Sequence, residues 1–233
     1  AWRWGFINIY YPPEELQQAL KLLLSCAGEF SDKDTYQYDV VDVTRQVISN
    51  YAYEVYKEMM TAFKAGDVAA FNEKSALFLQ LMDDQDRLLS TRKEFLLGLW
   101  IDAAKKNATS AIERDLFEQN ARTLITVWGN RGVAKELHEY ANREWAGMVG
   151  GLYRSRWQAY FSVLTNRLNG IETSLPDYYA MDAAWTKDRS PFPLQTSGDP
   201  VKTAGELFSK YFNQEEWLWK KSAVRKELSP SMP

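Results

Sequence analysis

Apolar residues in this chain return every third or fourth position, in segment after segment, and any fold must bury the faces that this period creates. After Pro12-Pro13, residues Leu16, Ala19, Leu20, Leu23, Leu24 and Ala27 fall on one helix face, and Gly28 reads as its stop. A polar loop is expected from Glu29 to Thr35. From Tyr38 a long helix carries Val40, Val43, Val47, Tyr51, Val55 and Met59 on one stripe; Gly66 ends it and Asp67 can cap its successor. That successor runs to about Leu89 through Phe71, Leu77, Phe78 and Leu81, and another helix covers about Glu94 to Lys106.

Ser110-Ala-Ile-Glu113 has the form of a capping box, in which hydroxyl and carboxylate satisfy unpaired backbone donors. The helix it opens should close near Trp128-Gly129. A glycine-containing loop, Gly129 to Glu136, leads to a helix starting near Lys135. That helix is expected to bend at Gly150-Gly151, where each glycine lowers helix propensity by about 1 kcal/mol, and to end at Gly170. Residues 171–200 hold four prolines and read as a looser wrap with a short helix near Tyr178 to Trp185. Pro200 to Trp219 reads as a last amphipathic helix. No run alternates with period two. The expected fold is all-α: a single domain over residues 1–233, an array of about eight helices around an aromatic-rich core.

Composition narrows the function classes. A net charge of −3 gives no reason to expect nucleic acid or an anionic membrane as partner. No apolar run approaches the roughly 20 residues of a membrane span. Cys26 is the only cysteine, so no intramolecular disulfide can form. The start, Ala1-Trp-Arg-Trp, lacks the order of a signal peptide and an initiator Met, as expected of a segment from a longer chain.

The chemistry-bearing residues exclude more than they select. His138 is the sole histidine and Cys26 has no spaced partner, so neither a metal site nor a Ser-His-Asp triad is expected. Asp83-Asp-Gln-Asp86 lacks the glycine and terminal Glu of a calcium loop and reads as a solvated helix face. Glycoside hydrolysis would need two carboxylates roughly 5 to 9.5 Å apart. Glu113, Glu118, Glu136, Glu139 and Glu144 surround the aromatic residues, but spacing chooses no pair among them.

Nine Trp, thirteen Tyr and eleven Phe form an unusual load. Trp128 stands at a helix end beside Gly129, where its ring could project over a cleft. Tyr140 offers a ring for stacking and a hydroxyl for hydrogen bonds. Packing between helices is the alternative for both. Arg122, Arg131, Arg143 and Arg156 read either as surface charge paired with Glu118 or Glu144, or as donors to sugar hydroxyls. Trp145 and Trp157 sit on apolar stripes and read as core.

Several blocks carry a resemblance. Tyr36-Gln-Tyr-Asp-Val-Val-Asp-Val-Thr-Arg-Gln46 is similar to a Tyr-Arg-Tyr-Asp-Leu-x-Asp-Leu-Thr-Arg-Gln motif. Phe95-Leu-Leu-Gly-Leu-Trp100, Glu118-Gln-Asn120, Trp128-Gly129, Tyr140-Ala-Asn142, Ala146-Gly147 and Arg156-Trp157 follow in order. From Leu20 to Tyr211 the chain resembles the C-terminal helical domain of the α-N-acetylglucosaminidases, the family 89 glycoside hydrolases.

The resemblance implies a parent with a small α/β domain, a (β/α)8 barrel and this helical domain beside the barrel mouth. Such enzymes remove terminal α-linked N-acetylglucosamine with retention, using two barrel glutamates. No catalytic residue therefore carries over to this chain, and no cofactor or metal is implied. Trp128, Leu137 and Tyr140 match positions on the helical side of the sugar pocket. The barrel of the same chain and the terminal sugar are the implied partners, and the segment alone should be inactive. The location implied is periplasmic or secreted in a bacterium, lysosomal in an animal. The rival reading is a free-standing helical carbohydrate-binding or interaction module. A purely scaffolding domain would instead bury Trp128 and Tyr140.

Overall fold

The computed structural model describes residues 9–134 and 141–212, and every described regular segment is helical. Trp2, Trp4, Phe6, Leu137, His138, Tyr140 and the stretch beyond Phe212 lie outside the described residues. None of the described helices is long and apolar enough to cross a membrane.

The described residues fall into two compact units, one of residues up to Val47 with those from Pro200, the other Ile48–Asp199. In the first, α1 (Pro13–Ser25) starts on Pro13, whose fixed φ suits a first helical turn. It ends before Gly28, at Cys26, and the expected polar loop instead opens with a short helical turn, α2 (Ala27–Phe30). The helix α3 (Asp34–Ala65) begins four residues before Tyr38 and runs from this unit into the next. At its start Tyr36 is buried and donates its hydroxyl to the Leu23 carbonyl at 2.7 Å. A last helix, α10 (Pro200–Phe212), buries Ala204, Leu207, Phe208, Tyr211 and Phe212 on one face.

In the second unit, Asp67 caps α4 (Val68–Leu89) by accepting the Ala70 N–H at 2.9 Å, as the sequence predicts. A 3-10 turn (Lys93–Phe95) leads to α5 (Leu97–Lys105). Ser110 caps α6 (Ala111–Leu124) through the Glu113 N–H at 3.2 Å, while the Glu113 carboxylate takes the Thr109 N–H at 2.7 Å. A single turn, α7 (Arg131–Ala134), stands inside the expected loop.

The expected helix from Lys135 is corrected here: residues 141–147 are not helical, and Ala146 forms an isolated parallel bridge with Leu96. Gly150-Gly151 is not a bend. It lies in a π-helical turn, Met148–Tyr153, that runs directly into α8 (Arg154–Leu168). Then follow α9 (Tyr178–Lys187), where the sequence places a helix, and the proline-containing wrap.

Two packed groups hold this unit. Leu97, Ile101, Ile125, Met148 and Leu152 form one, with Trp145, Tyr153, Trp185 and Phe192 against it. The other is aromatic: Trp157 lies 4.8 Å from Phe78 and 5.7 Å from Tyr56, and Phe161 lies 5.5 Å from Phe78 between ring centroids. Trp145 and Trp157 thus take the packing role expected of them.

Candidate functional site

After its last helical residue, α6 closes with Trp128 donating its N–H back to the Thr123 carbonyl at 2.9 Å. Here Trp128 itself takes φ 62°, and it is the sole non-glycine residue with positive φ among the described residues. That conformation costs an L-residue roughly 1–2 kcal/mol. The residue is 40% exposed, so burial does not explain the strain. Strain of this kind concentrates where a side chain must be aimed.

The loop behind Trp128 is clamped to α9. Tyr179 donates its hydroxyl to the Gly129 carbonyl at 2.6 Å, and Arg131 lies over the Tyr179 ring at 4.5 Å. The same guanidinium donates to both Asp177 carboxylate oxygens, at 2.8 and 2.7 Å. Asp177 also caps α9 through the Ala180 N–H, and the Arg131 hydrogen bond holds its carboxyl below the usual range. An Asp before a helix is a legible cap. Nothing in the sequence names its Arg partner.

Beneath this loop, α6 is anchored by buried charge. Arg122 is fully buried rather than a surface charge, and Glu118 nearly so. Arg122 donates twice to Glu118 Oε1, at 3.0 and 2.7 Å, and Lys105 reaches Oε2 at 2.8 Å. Burial pushes the Glu118 carboxyl up, but hydrogen bonds from Lys105 and Arg122 outweigh it and hold it below its usual range. Arg122 also donates to the Ser190 carbonyl at 3.0 Å and lies against the rings of Trp185 (4.7 Å) and Phe192 (5.1 Å). One side chain therefore fixes the helix that ends at Trp128 to the wrap.

Two further motif blocks are built for close approach. A Cβ on Gly98 would stand 2.2 Å from the Pro193 carbonyl, and one on Gly147 would stand 2.8 Å from the Phe192 ring. Asp86 accepts N–H bonds from Gly147 (2.7 Å) and Gly150 (2.8 Å), pinning the π-helical turn. Burial pushes the Asp86 carboxyl above its usual range despite those bonds. Asp83-Asp-Gln-Asp86 is therefore not a solvated face: Asp84 is buried and Asp86 is structural. Arg156 pairs with Asp182 at 3.5 Å and stacks near Tyr178 at 5.4 Å, joining α8 to α9. Arg143 lies 5.8 Å from the Trp145 ring. Glu144, offered as an Arg partner, accepts from Gln85 at 3.4 Å.

Three large apolar side chains of α6 stay exposed. Ile112, Leu116 and Leu124 are 83%, 50% and 46% exposed. Of the three sequence-predicted site residues, Trp128 stands exposed, past the end of α6. Leu137 and Tyr140 lie outside the described residues.

The family described as "Alpha-N-acetylglucosaminidase (NAGLU) C-terminal domain" matches residues 4–210. The human protein Alpha-N-acetylglucosaminidase is 29% identical over 211 residues, which span 88% of this chain and 28% of that protein. A family 89 glycoside hydrolase from Clostridium perfringens, solved in complex with PUGNAc, superposes with a TM-score of 0.84 at 33% identity. That match covers 89% of this chain and 25% of the other. A double variant of the C. perfringens enzyme, in complex with its substrate GlcNAc-alpha-1,4-galactose, gives the same TM-score at 32% identity, over 92% and 26% of the two chains. The chain thus spans about a quarter of the length of the relatives it matches.

Proposed function

From the premise that this chain belongs to the family of α-N-acetylglucosaminidase C-terminal domains, within the family 89 glycoside hydrolases, we propose that it completes the sugar pocket of such an enzyme. In this reading the parent removes terminal α-linked N-acetylglucosamine with retention. The catalytic barrel supplies acid/base and nucleophile, and the helical domain supplies a wall. Trp128 is the residue that carries the proposal, because its backbone is strained while its ring stays exposed. A flat ring presented at a fixed angle suits the apolar face of a pyranose. The buried Arg122 anchor and the Arg131–Asp177 clamp supply the rigidity that such a wall needs.

Leu137 and Tyr140 join Trp128 in this proposal by the motif positions they occupy. The exposed apolar side chains of α6 have a natural account as surface that faces the rest of the parent. No carboxylate of this chain is assigned a chemical step. Glu118, the most buried of the described candidate carboxylates, is committed to Arg122 and Lys105.

The experiment is hydrolysis of a chromogenic α-N-acetylglucosaminide by this chain and by its parent, side by side. The expected result is turnover by the parent alone. Turnover by the isolated chain would contradict the division of labour, and silence in both would remove the substrate assignment.

A further inference from the structure

Beside the rings that rest on Arg122 lies an open concavity of about 490 Å³. That size falls within the roughly 300–1,000 Å³ of small-molecule sites. Trp185 and Phe192 wall it, with ring centroids 6.3 Å apart, and their contacts with buried Arg122 hold both in place. Its polar rim is Ser155, Ser190 and Asp188. Asp188 Oδ1 accepts both the Ser190 N–H and its hydroxyl at 2.9 Å, and these bonds hold the carboxyl ionised below its usual range. A carboxylate has about four acceptor positions, so it keeps capacity for ligand hydroxyls.

The floor carries a second, independent signal. Gly151 sits in the π-helical turn, lines the concavity, and has no atom within 4 Å of where its Cβ would stand. Its neighbours Gly147 and Gly150 are glycines because a Cβ would collide, with Phe192 and Asp86 respectively. Packing gives no such reason at Gly151, and its φ is not positive. A glycine there lowers helix propensity and keeps the floor open. Single π-turns within helices occur frequently at functional sites.

We propose that this concavity binds one pyranose ring of a glycan. The aromatic walls take the ring's apolar face, and Asp188 with the two serines takes its hydroxyls. Two aromatic walls alone would suit any flat apolar molecule; the ionised carboxylate at the rim is what selects a polyol. The inference does not depend on the role given to Trp128.

The test is an NMR titration of the 233-residue chain with methyl α-D-N-acetylglucosaminide, methyl β-D-galactoside and cyclohexanol, following the Trp185 indole N–H. That signal is assigned by its loss in Trp185→Phe. A glycoside should shift it along with the amides of residues 147–155. Gly151→Leu, which fills open space and should leave the remaining spectrum in place, should weaken binding at least about tenfold. Asp188→Asn should weaken it severalfold, and Gly151→Ala should fall between wild type and Gly151→Leu. Unchanged affinity in Gly151→Leu overturns the proposal, as do shifts with cyclohexanol alone or no shift at Trp185. Shifts confined to the surroundings of Trp128 also overturn it, while leaving the proposed function standing.

Discussion

Trp128 combines two properties that seldom coincide, a left-handed backbone and a large exposed ring. Glycine would relieve the strain and alanine would not, while both remove the ring. Trp128→Gly should therefore be more stable than Trp128→Ala by about 1 kcal/mol, read from urea midpoints at constant m-value. Equal stability would mean the backbone is relaxed and the argument from strain is wrong. Arg122 supplies the contrasting case, a residue whose importance is buried. Removing it leaves Glu118 with Lys105 alone in a dry site. Arg122→Met should cost about 3–5 kcal/mol, measured by the same unfolding curves, because buried Glu118 loses both Arg122 hydrogen bonds. A loss within 1 kcal/mol would show that Lys105 and water compensate.

At the level of elements, the π-helical turn is held by Asp86, which titrates in an unusual sense. Its folded-state pKa is raised by burial, so the native state binds a proton that the unfolded chain has already released. Stability from this group is therefore fully present below the unfolded carboxylate pKa and is lost as pH rises through the raised folded value. Wild type should gain stability relative to Asp86→Asn as pH falls from neutral through that window. Parallel midpoint-versus-pH curves would contradict it. The elements themselves were largely legible: Asp67 and Ser110 announce their caps, and the valine stripe announces α3. Residues 141–147 were not, because Trp145 and Ala146 fit a helical stripe while the Ala146 backbone is paired with Leu96, a partner far away in sequence. The positive φ after α6 falls on Trp128, which side-chain periodicity does not report. The Arg131–Asp177 clamp and the Arg122 contacts with Trp185 and Phe192 join residues distant along the chain, which periodicity does not report.

For the molecule as a whole, the chain accounts for about a quarter of the length of enzymes it resembles over nearly its entire span. In the proposed reading, its helices present one ring and leave the bond-breaking carboxylates to another domain. The exposed apolar side chains of α6 and the exposed Trp128 suit a surface completed by the rest of the parent. The central claim is that Trp128 contributes to sugar processing and not to folding. The most direct measurement is kcat/KM of the full-length parent carrying Trp128→Ala on a chromogenic α-N-acetylglucosaminide, with its thermal midpoint recorded alongside. The account predicts a fall of at least about tenfold, a loss of 1.4 kcal/mol or more of transition-state stabilisation, with the fold intact. Full activity, or a loss of activity that follows unfolding, would contradict it.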